Sequence, residues 1–530
     1  MTPEEIAARS ETIFDAFRLT AAANPGKPFL IVPGREGRAY AAEGVTLTYG
    51  AALSEVERRA SLFAAKGYGP GHRVALALEN RPEHVLTQLA LYAVGASQVP
   101  VNPDYREHEL AYLAEHSEAC LAIGLPHNLA RLAPLLPAVL EVEDIPPAPA
   151  PAKPGSGRAT EAAVIYTSGT TGRPKGCLID HEYHFAVGLW YAGLGHALTL
   201  RIGEERLYVP LPVFHVNAGI NTLSAVILTA NALIMPDRFH PDAFWREVAE
   251  TGATGLHYLG AIPPILMKRS PEPAEKGHRL RFGLGAGLDP ALHAAFEARF
   301  GLPMVEVWGM SETGRFLADH EEPRRIRTRA FGRPRAPLEA IVADEAGREV
   351  PRGEAGELLV RAAGPDLRHG FFRGYLKDEA ATEEAWRGGW LHTGDVVFQE
   401  PDGMLHFVER RKNIIRRSGE NVSAAEVEDA LIGSGLVRGV AVIGVPDEVR
   451  DEEIMACVIP EGPRDEAAAR AIFAHARERL AYHKAPGWLA FVDALPRTGT
   501  EKVRKGLIFP EGADPRDFAY DLRALKKREG

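Results

Sequence analysis

Short apolar runs alternate with helical patterns through the first third of this chain. Arg73 to Leu78 (RVALAL) reads as a buried strand, Pro82 to Gly95 as a helix and Gln98 to Val101 as the next strand. Strands separated by a helix pair in parallel, so the pattern demands a sheet covered by helices. At 530 residues the chain is longer than a single core sustains, and at least two domains are expected. The stretch Pro146 to Gly157 (PPAPAPAKPGSG) holds neither helix nor central strand and reads as a surface connection. Turn-then-strand patterns at Arg352 to Arg361 and Gly403 to Val408 mark a β-rich region. Beyond Asn413 the chain turns basic and then compact, with helices expected at Ala424 to Leu431 and Ala467 to Leu480 around a strand at Val440 to Val445. The expected fold is α/β: a large N-terminal domain, residues 1–411, of helix-covered mixed or parallel sheets plus a β-rich subdomain, then a small α+β domain, residues 412–530.

The net charge of -10 offers no general attraction for nucleic acid or anionic lipid, so any polyanion must meet a local site. The acidic, amphipathic N-terminus lacks the basic start and apolar stretch of a secretory leader, and runs such as Val226 to Met235 fall short of the about 20 residues needed to span a bilayer. Cys120, Cys177 and Cys457 are far apart, with no metal-ligand spacing and too few for a disulfide framework. A cytoplasmic protein is expected. Cys177 reads as a small apolar residue, since nothing beside it would activate a thiolate.

The segment Tyr166 to Gly176, YTSGTTGRPKG, follows a short buried strand, Ala162 to Tyr166. Gly169, Gly172 and Gly176 let backbone N–H groups approach an anion, Thr167, Ser168, Thr170 and Thr171 add hydroxyls, and Lys175 adds a point charge. Such a loop suits a polyphosphate. It departs from the common nucleotide loop, because Arg173 and Pro174 separate Gly172 from Lys175. The segment resembles the phosphate-binding signature of the adenylate-forming superfamily, which includes acyl-CoA synthetases, firefly-type luciferases and peptide-synthetase adenylation domains. The resemblance runs in the family's order from about Phe14 to Leu507.

That resemblance implies roles for residues in four further segments. In Val307 to Thr313 (VWGMSET), Trp308 would face adenine, Gly309 and Met310 would border the nucleotide, Ser311 would contact the α-phosphate and Glu312 would hold Mg²⁺, a hard cation content with one carboxylate, waters and phosphate oxygens. Trp308 and Ser311 replace the commoner tyrosine and threonine. In Trp390 to Asp395 (WLHTGD), Asp395 would accept from both ribose hydroxyls, aided by Arg410. Lys412 falls on the hinge of a mobile C-terminal domain, with Glu409 and Asn413 replacing the usual glycine and aspartate. In Leu495 to Lys505 (LPRTGTEKVRK), Lys502 falls on the catalytic lysine that stabilises charge at the α-phosphorus, although Glu501 replaces a glycine. Two weaker matches lie nearer the acyl site. Gly285 and Ala286, within Gly283 to Gly287 (GLGAG), match a loop beside the adenine and acyl sites. His215, in Pro210 to Gly219, matches a residue of the acyl site. It is grouped with Lys502 and Glu312 as catalytic, in a gating or orienting role, because a carboxylate needs no deprotonation at neutral pH.

The family likeness implies an ATP-dependent acid–CoA ligase with ATP, Mg²⁺ and coenzyme A. Its partners would be a small carboxylic acid and these co-substrates, without nucleic acid or an integral membrane segment, and with a homodimer as the oligomer allowed for. Gly-Glu-Asn-Val-Ser at 419–423 looks like the CoA-ligase form of the hinge, and the double arginine with Glu-Lys-Val-Arg-Lys is most similar to the crotonobetaine/carnitine–CoA ligase branch. The alternatives are a stand-alone enzyme loading a carrier protein, a luciferase-like oxidation and a catalytically silent nucleotide binder. Lys502→Ala is expected to abolish acyl-adenylate formation, measured as pyrophosphate release, while sparing thioester formation from supplied acyl-AMP; equal loss of both would contradict a lysine that withdraws between steps.

Overall fold

The computed structural model describes residues 1–167, 174–410, 414–418, 420–496, 503, 505–510 and 512–526. Within them the alternating first third forms the expected parallel sheet. Arg73–Ala77 lies between Ser97–Pro100 and Leu121–Gly124, parallel to both, and the helix Pro82–Val94 crosses over between the first two. That helix opens with Pro at its first turn and closes on Gly95 at φ 76°, a left-handed position suited to glycine. The sheet continues through Glu161–Thr167 to the antiparallel strands Lys175–Asp180 and Gly374–Tyr375. Cys177 is fully buried there.

A second sheet runs Leu317–Ala318, Met304–Trp308, Phe282–Ala286, Gly255–Leu259, Arg206–Tyr208, Ala232–Ile234, Pro28–Val32 and Val45–Thr48, parallel except at its two edges. The β-rich region is a separate antiparallel sheet of Ala330–Gly332, Leu405–Arg410, Leu391–Gln399, Ala355–Ala362 and Leu338–Ala343. The last sheet is built on the long hairpin Val437–Asp447 and Asp451–Pro460, with the helices Ala424–Ile432 and Glu466–Arg479. Asp465 caps the second helix by accepting from Ala468 N at 2.9 Å. The main core runs in sequence from Ile6 to Leu405, and the core of the C-terminal body from Ile415 to Leu522.

The two bodies meet across a buried ionic cluster. Lys484 Nζ lies 2.6 Å from Glu109 Oε1 of the first body and 2.7 Å from Glu426 Oε1 of the second, and Arg106 Nε donates to the Leu480 carbonyl at 2.7 Å. Burial, with Glu109 as neighbour, pushes the Glu426 carboxyl up to about 7, against the pull of Lys484.

The first body also buries a set of neutral imidazoles. His184 lies within 2.8 Å of Ser224 Oγ and 3.2 Å of the Tyr92 hydroxyl, which also accepts from Gln88 and Gln98. Burial lowers His84 to about 4 and His181 to about 3. Because the unfolded chain takes up these protons near pH 6.5 and the folded chain does not, the histidines cost no stability above that pH and oppose folding as it falls toward 4. Each contributes a loss on the order of 2 kcal/mol at pH 5. Thermal unfolding followed from pH 7 to pH 5 should show a steadily falling midpoint; an unchanged midpoint would contradict neutral burial.

Candidate active site

The strands Glu161–Thr167 and Lys175–Asp180 pair antiparallel with Thr167 opposite Lys175, so both flanks of the glycine- and threonine-rich segment are held in one ladder. Ser168, Gly169, Thr170, Thr171 and Gly172 lie outside the described residues, as do Lys412 and Lys502. Lys175 Nζ sits 4.6 Å from the centroid of the Tyr375 ring, a cation–π contact. The Tyr375 hydroxyl donates to Glu312 Oε1 at 2.8 Å, and Phe372 N donates to the Glu312 carbonyl at 3.0 Å. A buried carboxylate is thereby held beside the hairpin of Glu161–Thr167 and Lys175–Asp180. Burial pushes the Tyr375 phenol strongly up, and Glu312 adds to it, so the tyrosine remains a donor. Tyr375 has no local sequence signal; it arrives because Gly374–Tyr375 pairs with the hairpin, Tyr375 opposite Cys177.

Trp308 ends the strand Met304–Trp308 and donates from Nε1 to Asp395 Oδ2 at 2.8 Å. Asp395 is 1% exposed, so this is an interior charge-assisted bond that fixes the carboxylate's direction. Gly394, at φ 73°, turns the chain so that its N–H meets Glu357 Oε1, and Asp395 N is held by Thr393 Oγ1. Arg410 stands opposite Asp395 in the backbone register. Gly309 is exposed, Met310 and Ser311 are half-buried, and Thr313 Oγ1 ties back to the Met310 carbonyl.

The GLGAG stretch is a strand rather than a loop as far as Ala286. Glycine is required because a Cβ at Gly285 would lie 2.2 Å from the Tyr258 carbonyl and one at Gly283 would lie 2.5 Å from Met304 sulfur. Only Gly287, at φ 85°, turns. The Glu306 carboxylate accepts from Gly287 N, from Leu288 N and from the Tyr258 hydroxyl, while burial pushes it up to about 7.

His215 meets the second body, its Nε2 lying 3.0 Å from Glu420 Oε1. Burial works against a charged imidazole, but Glu420 outweighs it and raises His215, while Glu420 is held well below the usual carboxylate range. Among the described residues, no group of three or more His, Cys, Asp or Glu forms a metal cage, and no helix is long and apolar enough to cross a membrane.

This fold, with helix-covered parallel sheets, an antiparallel sheet that brings the buried Asp395 to Trp308, and a second body docked beside them, is that of adenylate-forming enzymes. The chain belongs to the AMP-binding enzyme family, matching it over residues 17–376 and its C-terminal domain over residues 426–502. It is 31% identical to the sulfoacetate–CoA ligase of Cupriavidus necator, over 93% of this chain and 97% of that protein. It is 30% identical to the crotonobetaine/carnitine–CoA ligase of Citrobacter koseri, over 87% and 93%. In three dimensions it resembles the o-succinylbenzoate CoA synthetase of Bacillus subtilis bound to a CoA product analogue, with a TM-score of 0.80 at 23% identity over 93% of this chain and 98% of that one. The same enzyme bound to its acyl-adenylate gives 0.65 at 22% identity, again over 93% and 98%.

Trp308→Phe should keep an aromatic face while removing the donor to Asp395. A stability loss on the order of 1–2 kcal/mol is expected in chemical denaturation, together with weaker ATP binding in titration. Unchanged values for both would show that the indole bond does not position Asp395.

Proposed function

We infer that this chain is an AMP-forming acid–CoA ligase. A carboxylate oxygen attacks the α-phosphorus of ATP and pyrophosphate leaves; the CoA sulfur then attacks the acyl carbon and AMP leaves as the thioester forms. The observation that carries this reading is the convergence of Lys175, Tyr375 and Glu312 at the hairpin of a chain belonging to the AMP-binding family.

In this reading Thr167, Lys175 and the turn residues 168–172 hold the phosphates. Asp395, oriented by Trp308, receives the ribose, with Arg410 beside it, and Gly285, Ala286, Gly309, Met310 and Ser311 border the nucleotide. Glu312 suits Mg²⁺: its carboxylate is buried, fixed on one oxygen by a neutral donor, and set near the phosphate hairpin. Bound there, the ion would neutralise charge on the phosphate oxygens. Lys502 is assigned to the adenylation step.

The division at residues 411 and 412, with Lys412 as the pivot, is supported by the separate cores to either side. The docked arrangement is read as the thioester-forming one. Two observations support it: the higher similarity to the CoA-product complex, and the reach of Glu420 from the second body to His215. His215 then acts as a gate whose side chain is held aside by Glu420. The cytoplasm is the proposed location.

The test is paired measurement of acid-dependent pyrophosphate release and CoA-dependent AMP formation. Pyrophosphate release without CoA dependence would replace CoA with another acceptor, and no release with any acid would overturn the reading. Lys484→Met leaves Glu109 and Glu426 facing each other without their ammonium. It should slow thioester formation about tenfold more than adenylation; equal slowing would show that the cluster does not bias the domain arrangement.

A further inference from the structure

A π-helix, Asn217–Thr222, comes just after His215 and faces the strand Gly255–Leu259. Such turns are rare and concentrate at functional sites. This one is anchored from behind: Gln88 Nε2 donates to the Gly219 carbonyl at 2.9 Å, and Ser224 Oγ donates to the Ile220 carbonyl at 2.6 Å. Ala218, Gly219, Ile220 and Thr222 are buried, whereas Asn217 and Asn221, one turn apart, are half-buried.

The two carboxamides are incompletely used. His257 Nδ1 lies 3.0 Å from Asn217 Oδ1, and its Nε2 lies 2.9 Å from the Tyr191 hydroxyl. Burial lowers His257 to about 3, so the ring is neutral, and these contacts assign its proton to Nδ1, donated to Asn217, with Nε2 accepting from Tyr191. Asn217 therefore has its oxygen filled, and its Nδ2 bonds to no described residue. Asn221 Oδ1 is buried and accepts from no described residue. A buried acceptor without a donor is destabilising and calls for an explanation.

We propose that Asn217 and Asn221 form a polar subsite in the acyl pocket that selects an acid bearing a neutral group able both to donate and to accept a hydrogen bond, a hydroxyl or a primary carboxamide. The inference rests on the acid–CoA ligase reading and deepens it. Asn217 Nδ2 supplies the donor and Asn221 Oδ1 the acceptor. A ketone would satisfy only the first, and an alkyl chain neither. Neutral His257 provides no positive charge for an anionic group. Arg315, in the neighbouring segment, lies against Gly370 and donates from Nη1 to the His369 carbonyl at 2.9 Å. Its Nε is buried without a partner among the described residues, which makes a second anionic group on the acid the rival to be tested.

The experiment measures pyrophosphate release with length-matched series: pentanoate, 3-, 4- and 5-hydroxypentanoate, 4-oxopentanoate, glutaramate and the dianion glutarate. One hydroxy acid or the amide should exceed its alkyl and oxo counterparts by at least about tenfold in kcat/KM, since a site built for hydrogen bonding rejects a substrate lacking the group. Asn221→Leu should erase that preference and improve the alkyl acid; Asn221→Ala, checked by its melting temperature, serves if the leucine variant fails to fold. Preference for the alkyl acid, or for glutarate with loss in Arg315→Met, would overturn the polar subsite while leaving the ligase intact. Absence of release with every acid would remove the ligase reading and this proposal with it.

Discussion

The ammonium of Lys484, buried between a carboxylate of each body, is the contact on which the observed assembly rests. Two carboxylates share one cation out of water, so the cluster is strongly directional and fails if either body withdraws. Glu109 is fixed by accepting from Arg106 N at the start of the helix Glu107–Ser117, and Arg106 itself reaches the Leu480 carbonyl. Helix start and domain contact are thus one structure. The same docking carries Glu420 to His215.

Behind that contact, the site depends on where parallel strands end. In open α/β sheets the carboxyl ends of the strands are where side chains from separate strands converge. Trp308 ends one strand, and Gly287 turns the chain just after another. The antiparallel sheet brings Asp395 from a different layer to meet Trp308. Rigid strands thus position the Glu312 and Asp395 carboxylates.

Much of the architecture was legible because it was local. RVALAL formed a strand at Arg73–Ala77, and PEHVLTQLALYAV formed the helix that precedes Gly95. The long C-terminal helix begins beside Asp465 and runs Glu466–Arg479, one residue from the expected start and end. GLGAG was harder to read, because glycines that usually signal a loop serve here to let Tyr258 and Met304 pack against a strand. The roles of Glu312 and Asp395 were suggested by motif, but neither Tyr375 nor the indole bond of Trp308 had a local signal.

The sequence by itself determined the alternation of strand and helix and the class of chemistry, because each depends on neighbouring residues or on a contiguous motif. Only the tertiary structure decided that Tyr375 serves Glu312, that Lys484 joins Glu109 to Glu426, and that Asn217 meets His257. Those pairings span up to 375 positions and are set by strand order and domain docking. Local propensity does not encode either.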